Sequence, residues 1–442
     1  MWKVFVLLLI VLLTGKICYS QSGAVTDSDT LSGTATLPVI VKYALSHQPA
    51  LRQALIDEEI TNHTIKSRLS EWFPQLNFNF NIQHNFQLPV SIFQGNPVQL
   101  GQKNTSSGQF SLTQTIFNRD VLLASSTAGS LTEQSRQRTI STRIDLVVNV
   151  SKAFFAVLLS KQQNVLLDDD IRRLALSQQD TYAQYKSGVT DKTDYERASV
   201  ALNNARAAKK QASEALKTSL AFLKEQMGYP SERNLAVQYD TTRMESELQI
   251  DTTQVLNPEN RIEYQLLRTQ RSLLQSNINY NYWSFLPSLS AFGNYNLNYL
   301  NNNFKGLYDH EYPSSFIGVQ LSFPIFQGGK RYQEIRIAQL ELSRSDFDIA
   351  NLRDIMNTQY TEALASYKSN LNTYYVLKEN LTLANDVYNT IQLQYRAGVK
   401  TYLDVITAET DLRTTQINYI NALFQVLSSK LDVQRALGTI HY

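Results

Sequence analysis

One motif occurs twice in this chain, and the distance between its copies restricts the fold more than any other feature. Gln184-Tyr185-Lys186-Ser187-Gly188-Val189 returns as Gln394-Tyr395-Arg396-Ala397-Gly398-Val399, 210 residues later. Asp194 and Asp404 keep that offset, as do Gly228 and Gly438. Pro49 with Arg52 returns as Pro258 with Arg261, and Pro74 as Pro287, at nearly the same spacing. Solenoid units run about 20–50 residues, so a period this long is a duplicated domain.

Helix breakers divide each half. No proline occurs from Val98 to Tyr229 or from Ile325 to the end. Between Ser130 and Gly228 the only glycines are Gly188 and Gly228; between Lys330 and Tyr442 they are Gly398 and Gly438. Both residue types break helices, so each half holds a helical hairpin broken once. The hairpins are expected over about 119–187 with 190–227, and about 329–397 with 401–437. A long arm of about 68 residues is a rod of roughly 100 Å. Such a rod needs helical neighbours along its whole length. Ile349, Leu352, Met356, Tyr360, Ala363, Tyr367, Leu371, Tyr374, Leu377, Leu381, Ala384, Tyr388, Ile391 and Tyr395 form one stripe. Their mean step is about 3.5, the coiled-coil period. Ile140, Ile144, Val147, Ser151, Phe154 and Leu158 begin the matching seam of the first half. Shorter helices are expected over about 38–72 and 258–284.

Four segments change to period two, at about 75–88, 108–117, 287–300 and 314–325. Phe78, Phe80 and Ile82 alternate with Asn77, Asn79 and Asn81; Leu289, Ala291 and Leu297 alternate with Ser290, Asn296 and Asn298. Each has the length and pattern of a transmembrane strand, with uncharged amides and hydroxyls opposite the apolar face. Trp72, Phe73, Tyr282, Trp283 and Phe285 sit where helix becomes strand, as an interfacial aromatic girdle would. The connections 89–104 and 301–314 are expected as polar loops. Four strands cannot close a barrel, and an open edge in lipid leaves backbone groups unpaired. Ring closure is therefore expected from sister subunits. Two give about 8 strands, which only side chains fill, so a conducting ring needs three or more. The alternative for the same segments is a soluble sheet, and for the chain a periplasmic coiled-coil scaffold or adaptor.

Composition supports export. Lys3 precedes an apolar run from Val4 to Leu13, with Cys18 and Ser20 as small residues before Gln21, so residues 1–20 are expected as a signal peptide. Cys18, the only cysteine, goes with it unless it is lipidated. Of 41 basic and 39 acidic residues, Lys3 and Lys16 lie in that segment, leaving an even balance and no basic footprint for nucleic acid. The five histidines are scattered; no triad, zinc motif or phosphate loop is recognisable, and no cofactor or enzymatic activity is expected. Asp168, Asp169 and Asp170 point in three directions on a helix and are expected on a solvated face.

Together these features resemble the TolC family of outer-membrane efflux proteins, over nearly the whole mature chain. The resemblance is carried by Gln48–Leu51, Asn257-Pro258, the strand starts at Phe73 and Leu286, Phe323-Pro324-Ile325-Phe326-Gln327-Gly328-Gly329, the two Tyr-x-x-Gly-Val turns and the Met/Leu-Gly ends. It implies a mainly α protein with four transmembrane strands in a duplicated strand-strand and long-hairpin unit. Three copies would form a homotrimer whose 12-stranded barrel in outer-membrane lipid continues as an α-helical barrel. It implies a periplasmic adaptor (membrane fusion protein) and an inner-membrane transporter as partners. The first repeat would span 21–228 and the second 257–442, with 229–256 part of an equatorial belt. The hairpin turns at Gly188 and Gly398 would form the periplasmic entrance, with Asp194 and Asp404 constricting the pore and Tyr395 and Lys400 latching neighbouring hairpins. Lys400 stands where arginine is familiar, and Thr407 where a second pore aspartate occurs. From the residues alone, Thr401-x-x-Asp404 is also a capping-box start to a helix.

Overall fold

The structure, a computed structural model, describes residues 35–238 and 241–441; the expected signal peptide and Cys18 lie outside them. In chain order the elements are α1 (Leu37–His47), α2 (Pro49–Leu69), β1 (Gln75–His84), β2 (Val90–Phe93), β3 (Asn96–Gln99), β4 (Asn104–Phe117), α3 (Arg119–Lys186) and α4 (Lys192–Met227). They continue as α5 (Thr241–Ser246), α6 (Ile262–Tyr282), β5 (Ser288–Asn301), β6 (Glu311–Ser322), α7 (Lys330–Arg396) and α8 (Tyr402–Leu437). The chain is mainly helical, with a small antiparallel sheet at one end.

The long helices α3 and α7 run 68 and 67 residues unbroken. Every residue of the stripe from Ile349 to Tyr395 is buried or half-buried, while most of α7 around it is exposed. The 3.5-residue spacing thus selects the face that packs on α8. The main core lies where the two hairpins meet, with Val150, Phe154 and Leu158 of α3 against Leu423, Phe424 and Leu427 of α8. Segment 244–254 straps the outside of the second hairpin. Tyr367 donates to the Leu248 carbonyl at 2.8 Å, and Glu245 accepts from Tyr419 at 2.6 Å and Lys378 at 2.9 Å. Among the described residues no helix is long and apolar enough to cross a membrane.

The helix expected over 38–72 is two helices. Gln48 is extended (ψ 121°), as a residue before proline prefers, and its side chain donates to the carbonyls of Glu225 and Gln226 at 3.2 and 3.0 Å. The second repeat breaks similarly, with a 3₁₀ turn at Pro258–Asn260 before α6. These breaks let each return helix abut a short one. Gly228 ends α4 with φ 67°, and a Cβ there would lie 2.9 Å from the His47 carbonyl oxygen. Gly438 ends α8 with φ 72°, and a Cβ there would lie 2.5 Å from that of Asn260. Only glycine fits both the left-handed turn and the contact.

The large sheet has the order β1-β4-β5-β6, all antiparallel. Its register aligns Leu76, Leu112 and Ile317 on one face with Phe78, Phe110 and Tyr295. The other face carries rows of Asn77, Ser111 and Asn294 ending on Phe316, then Asn79, Gln109, Asn296 and Ser314, then Asn81, Ser107 and Asn298 ending on Tyr312, with Phe292 packed against Phe316. Amides bond across these rows, as Gln109 does to Asn294 at 3.3 Å. β1 and β6 each leave one edge free within the protomer. The segment expected as a loop at 89–104 contains a second hairpin, β2–β3, whose two-residue turn Gln94-Gly95 has φ 49° and 84°. Two positive φ values match the right-handed twist of paired strands. β1 stops at His84 rather than 88 because Asn85 turns the chain, bonding Lys103 and Gln102.

Candidate functional site at the hairpin tips

Both turns close alike. Gly188 and Gly398 are left-handed, and the N–H groups of Val189 and Val399 return to the Gln184 and Gln394 carbonyls at 2.9 Å. Val189 and Val399 are exposed at the ends. The return helices start differently. Asp191 caps α4 by accepting from the Thr193 N–H at 3.4 Å. Thr401 and Asp404 make a full capping box: Asp404 accepts from the Thr401 N–H at 2.9 Å and its hydroxyl at 2.8 Å, and the Thr401 oxygen accepts from the Asp404 N–H at 3.4 Å. The Thr401 N–H, then its hydroxyl, and last the Lys400 charge hold the Asp404 carboxyl below the usual carboxylate range.

Of the residues the sequence singles out, Tyr395 crosses between repeats. Its hydroxyl donates to Gln184 Oε1 at 2.9 Å, and its ring lies 5.8 Å from that of Tyr402. Burial raises its pKa. Lys400 faces its own helix, with Nζ 4.0 Å from Asp404. Asp194 lies in the first turn of α4, near enough to Tyr395 and Tyr402 for its charge to raise both hydroxyls. Sequence reasoning missed Tyr402, buried, bonded to Ser177 at 2.8 Å and pushed up to about 12, mainly by burial. Gln184 was quoted in the repeated motif, but its partner follows only from the packing.

Asp168–Asp170 need a correction. Asp168 and Asp169 are on the surface, paired with Lys209 and Arg172. Asp170 is 1% exposed, bonded to Arg173 and Arg413 at 3.2 Å each. It lies on the α3 face turned toward α8, so one acid of the three is interior.

At the opposite end, Trp72, Trp283 and Phe285 lie in the 3₁₀ turns between helix and sheet, flanked by Phe73 and Tyr282, all at least part-exposed. Phe285 stacks edge-on with Tyr332 at 5.7 Å and lies beneath the Arg331 guanidinium at 5.0 Å. Exposed Tyr332 extends this ring of aromatics and was not anticipated.

An open-edged sheet with one mainly apolar and one mainly polar, amide-rich face, standing on two helical rods, defines a class: a wall segment of a membrane barrel prolonged by a helical tube. A family model described as "Outer membrane efflux protein" matches residues 40–229 and 259–439, so the chain belongs to that family. Outer membrane protein TolC of Vibrio cholerae is 22% identical, over 91% of each chain. Outer membrane protein OprJ of Pseudomonas aeruginosa is 24% identical, over 91% of this chain and 84% of its own length. The crystal structure of the outer membrane protein VceC from Vibrio cholerae superposes with a TM-score of 0.73 at 14% identity, covering 91% and 96% of the two chains; that likeness concerns the fold. Membership in this TolC-type family makes the chain an outer-membrane protein.

Proposed function

We propose that this chain is the exit duct of a tripartite efflux or type I secretion system, acting as a passive homotrimeric channel. Three four-stranded sheets joined edge to edge, β6 to β1, would give about 12 strands, enough for a water-filled bore. The apolar face meets lipid and the Asn/Gln/Ser face lines the bore. One observation carries this reading: the register gathers mostly apolar side chains on one face and, apart from Phe292, Leu300, Tyr312 and Phe316, uncharged polar ones on the other, across a sheet with two unpaired edges. α3, α4, α7 and α8 would form the periplasmic tube, open to an adaptor and an inner-membrane transporter that supplies the energy.

The gate in this reading is the helical tip. Asp404 and Asp194 would supply its negative charge, while Tyr395 and Lys400 would latch neighbouring hairpins. The Tyr395–Gln184 bond supports the latch, because it ties α7 to α3. The test is membrane retention followed by planar-bilayer conductance of the purified protein. A duct stays with the outer membrane through salt and carbonate washes and conducts. Asp404→Asn reduces block by divalent cations. Release by carbonate, or absence of any conductance, overturns the duct and favours a periplasmic scaffold; unchanged block removes Asp404 from the pore.

A further inference from the structure

The bore face of the sheet carries no charge along its strands. On β1 it is amide throughout, with Gln75, Asn77, Asn79, Asn81 and Gln83, and amides and hydroxyls continue across β4 and β5. Among the described residues paired on that face there is no carboxylate, ammonium or guanidinium. Four side chains break the pattern, and all are on β5 and β6: Phe292, Leu300, Tyr312 and Phe316.

Two of the four have a plain structural account. Leu300 is next to the last residue of β5, at the rim of the sheet. Phe292 stands opposite Gly318, and its ring lies so close across the glycine that a Cβ there would be 2.7 Å away. It fills the gap that glycine leaves in the sheet surface, as Phe78 does over Gly108 on the other face. Phe316 and Tyr312 fill no such gap. They are 52% and 51% exposed, on the face that water wets in an open bore. Phe292 braces Phe316 from one side, edge to face at 6.2 Å and 77°, an arrangement that aromatic rings favour.

Phe316 and Tyr312 frame a slot. They project from the same face of β6 four residues apart, about 13 Å, and the only side chain between them on that face is the small Ser314. Asn296, opposite Ser314, donates to its hydroxyl oxygen at 3.3 Å; Asn298, opposite Tyr312, donates to the Tyr312 carbonyl at 3.3 Å. The Ser314 oxygen thus accepts within the wall, which leaves its proton to donate into the slot. β6 is an edge strand. In the trimer the slot's open side would face β1 of the next copy, where every bore residue is an amide.

We propose that Phe316 and Tyr312, with Ser314 and Asn296 as the floor between them, form a binding slot on the bore wall for a flat, uncharged aromatic solute of one or two fused rings that carries a hydrogen-bond acceptor. Two aromatic walls attract a ring face or edge. The uncharged surroundings give an ion nothing in return for its lost hydration. The serine proton takes the acceptor. Affinity from two ring contacts is weak, with a Kd on the order of millimolar. Weakness suits a duct, because a site along a conducting path must release what it takes. This deepens the duct reading and rests on it.

The test is saturation-transfer NMR of the full-length protein in lipid nanodiscs, with empty nanodiscs as blank. The probe is caffeine, a water-soluble, uncharged two-ring heterocycle with carbonyl acceptors; sorbitol is the uncharged aliphatic control. Caffeine is expected to bind saturably and sorbitol not at all. Phe316→Ser and Tyr312→Ser are each expected to weaken caffeine about two- to tenfold, and the pair together to abolish it. Phe86→Ser removes an aromatic that is 88% exposed outside the slot and is expected to change nothing. Trimers that survive gel electrophoresis are expected for all variants. The slot is overturned if wild type binds caffeine no better than sorbitol, a comparison that needs no variant to fold. It is also overturned if Phe86→Ser weakens binding as much as Phe316→Ser, or if Phe316→Ser dissociates the trimer, which would assign the ring to the joint between copies. Failure of the duct reading looks different: the same wild-type protein would show no conductance in a planar bilayer, whatever its caffeine signal.

Discussion

The two hairpins share length, turns and caps, yet they bury opposite arms. In the first, the long helix α3 is the interior one, with twenty buried residues against five on α4. In the second, the return helix α8 is interior, with fifteen buried residues against eight on α7. The duplicated unit therefore sits with α3 beside α8, and with α4 and α7 on the flanks. The difference is written in residue pairs at the repeat offset. Leu158, buried on α3, corresponds to exposed Lys368 on α7. Phe424, buried on α8, corresponds to Glu214, which is exposed and paired with Lys210 and Lys217 on α4. Duplication supplied the frame, and divergence at such positions decided which helix faces inward. The exposed apolar residues that remain on α7, such as Ile337, Leu340 and Phe347, lie on a flank that a neighbouring copy would cover in the proposed trimer.

The largest effect should come from exchanging the two environments. Leu158→Lys or Phe424→Glu places an unpaired charge in the core, at a cost of several kcal/mol. Either is expected to abolish the folded protein in thermal unfolding followed by circular dichroism. The reverse changes, Lys368→Leu and Glu214→Phe, fall on the flanks and are expected within about 0.5 kcal/mol of wild type. Comparable losses in both directions would mean that the asymmetry is not what holds the repeats together.

A smaller effect separates the two junctions where return helix meets short helix. Gly438→Ala and Gly228→Ala both force a Cβ into a left-handed turn, about 1–2 kcal/mol by itself. The second repeat has the tighter approach, 2.5 Å against 2.9 Å to a backbone oxygen that cannot turn away. Gly438→Ala is therefore expected to lower the unfolding temperature further than Gly228→Ala. Gly188→Ala, with nothing within 4 Å, should cost only the strain. Equal shifts at all three sites would show that backbone strain alone matters.

What was legible in the sequence follows from where periodicity is imposed. The α7 stripe was readable because a rod of that length repeats one packing requirement, and Met356, Tyr367, Tyr374 and Tyr388 are all buried. The alternating strands were readable because two unlike media enforce period two. Boundaries set by single contacts were not. β4 begins at Asn104, through a polar Asn-Thr-Ser-Ser stretch, because β1 and β5 both pair with it there. The break at Gln48 depends on a side chain capping α4, some 177 residues away. Asp170 looked like one of three surface acids because its arginine partner on α8 is 243 residues distant. At the tips, the capping box of Thr401 and Asp404 is local and was visible, whereas the Tyr395–Gln184 bond joins the repeats and was not.

The smallest expected effect tests the one local difference between the tips. The start of α8 has the reciprocal Thr401–Asp404 box; the start of α4 has a single, longer bond to Asp191. Asp404 is held below its ordinary pKa by the groups it accepts from. A depressed carboxylate contributes stability that is present above its ordinary pKa and disappears as pH falls through the lowered one. Acidification below about pH 4 should therefore fray the first turn of α8 while the rest of the helix persists. Amide hydrogen exchange would register it as faster exchange at Thr401 and Asp404, with Thr193 and Asp194 changing less over the same range. Asp404→Asn should remove most of that pH dependence at α8, because the amide keeps an acceptor but neither the charge nor the titration. If exchange at both tips quickens together in acid, the capping box is not what distinguishes them.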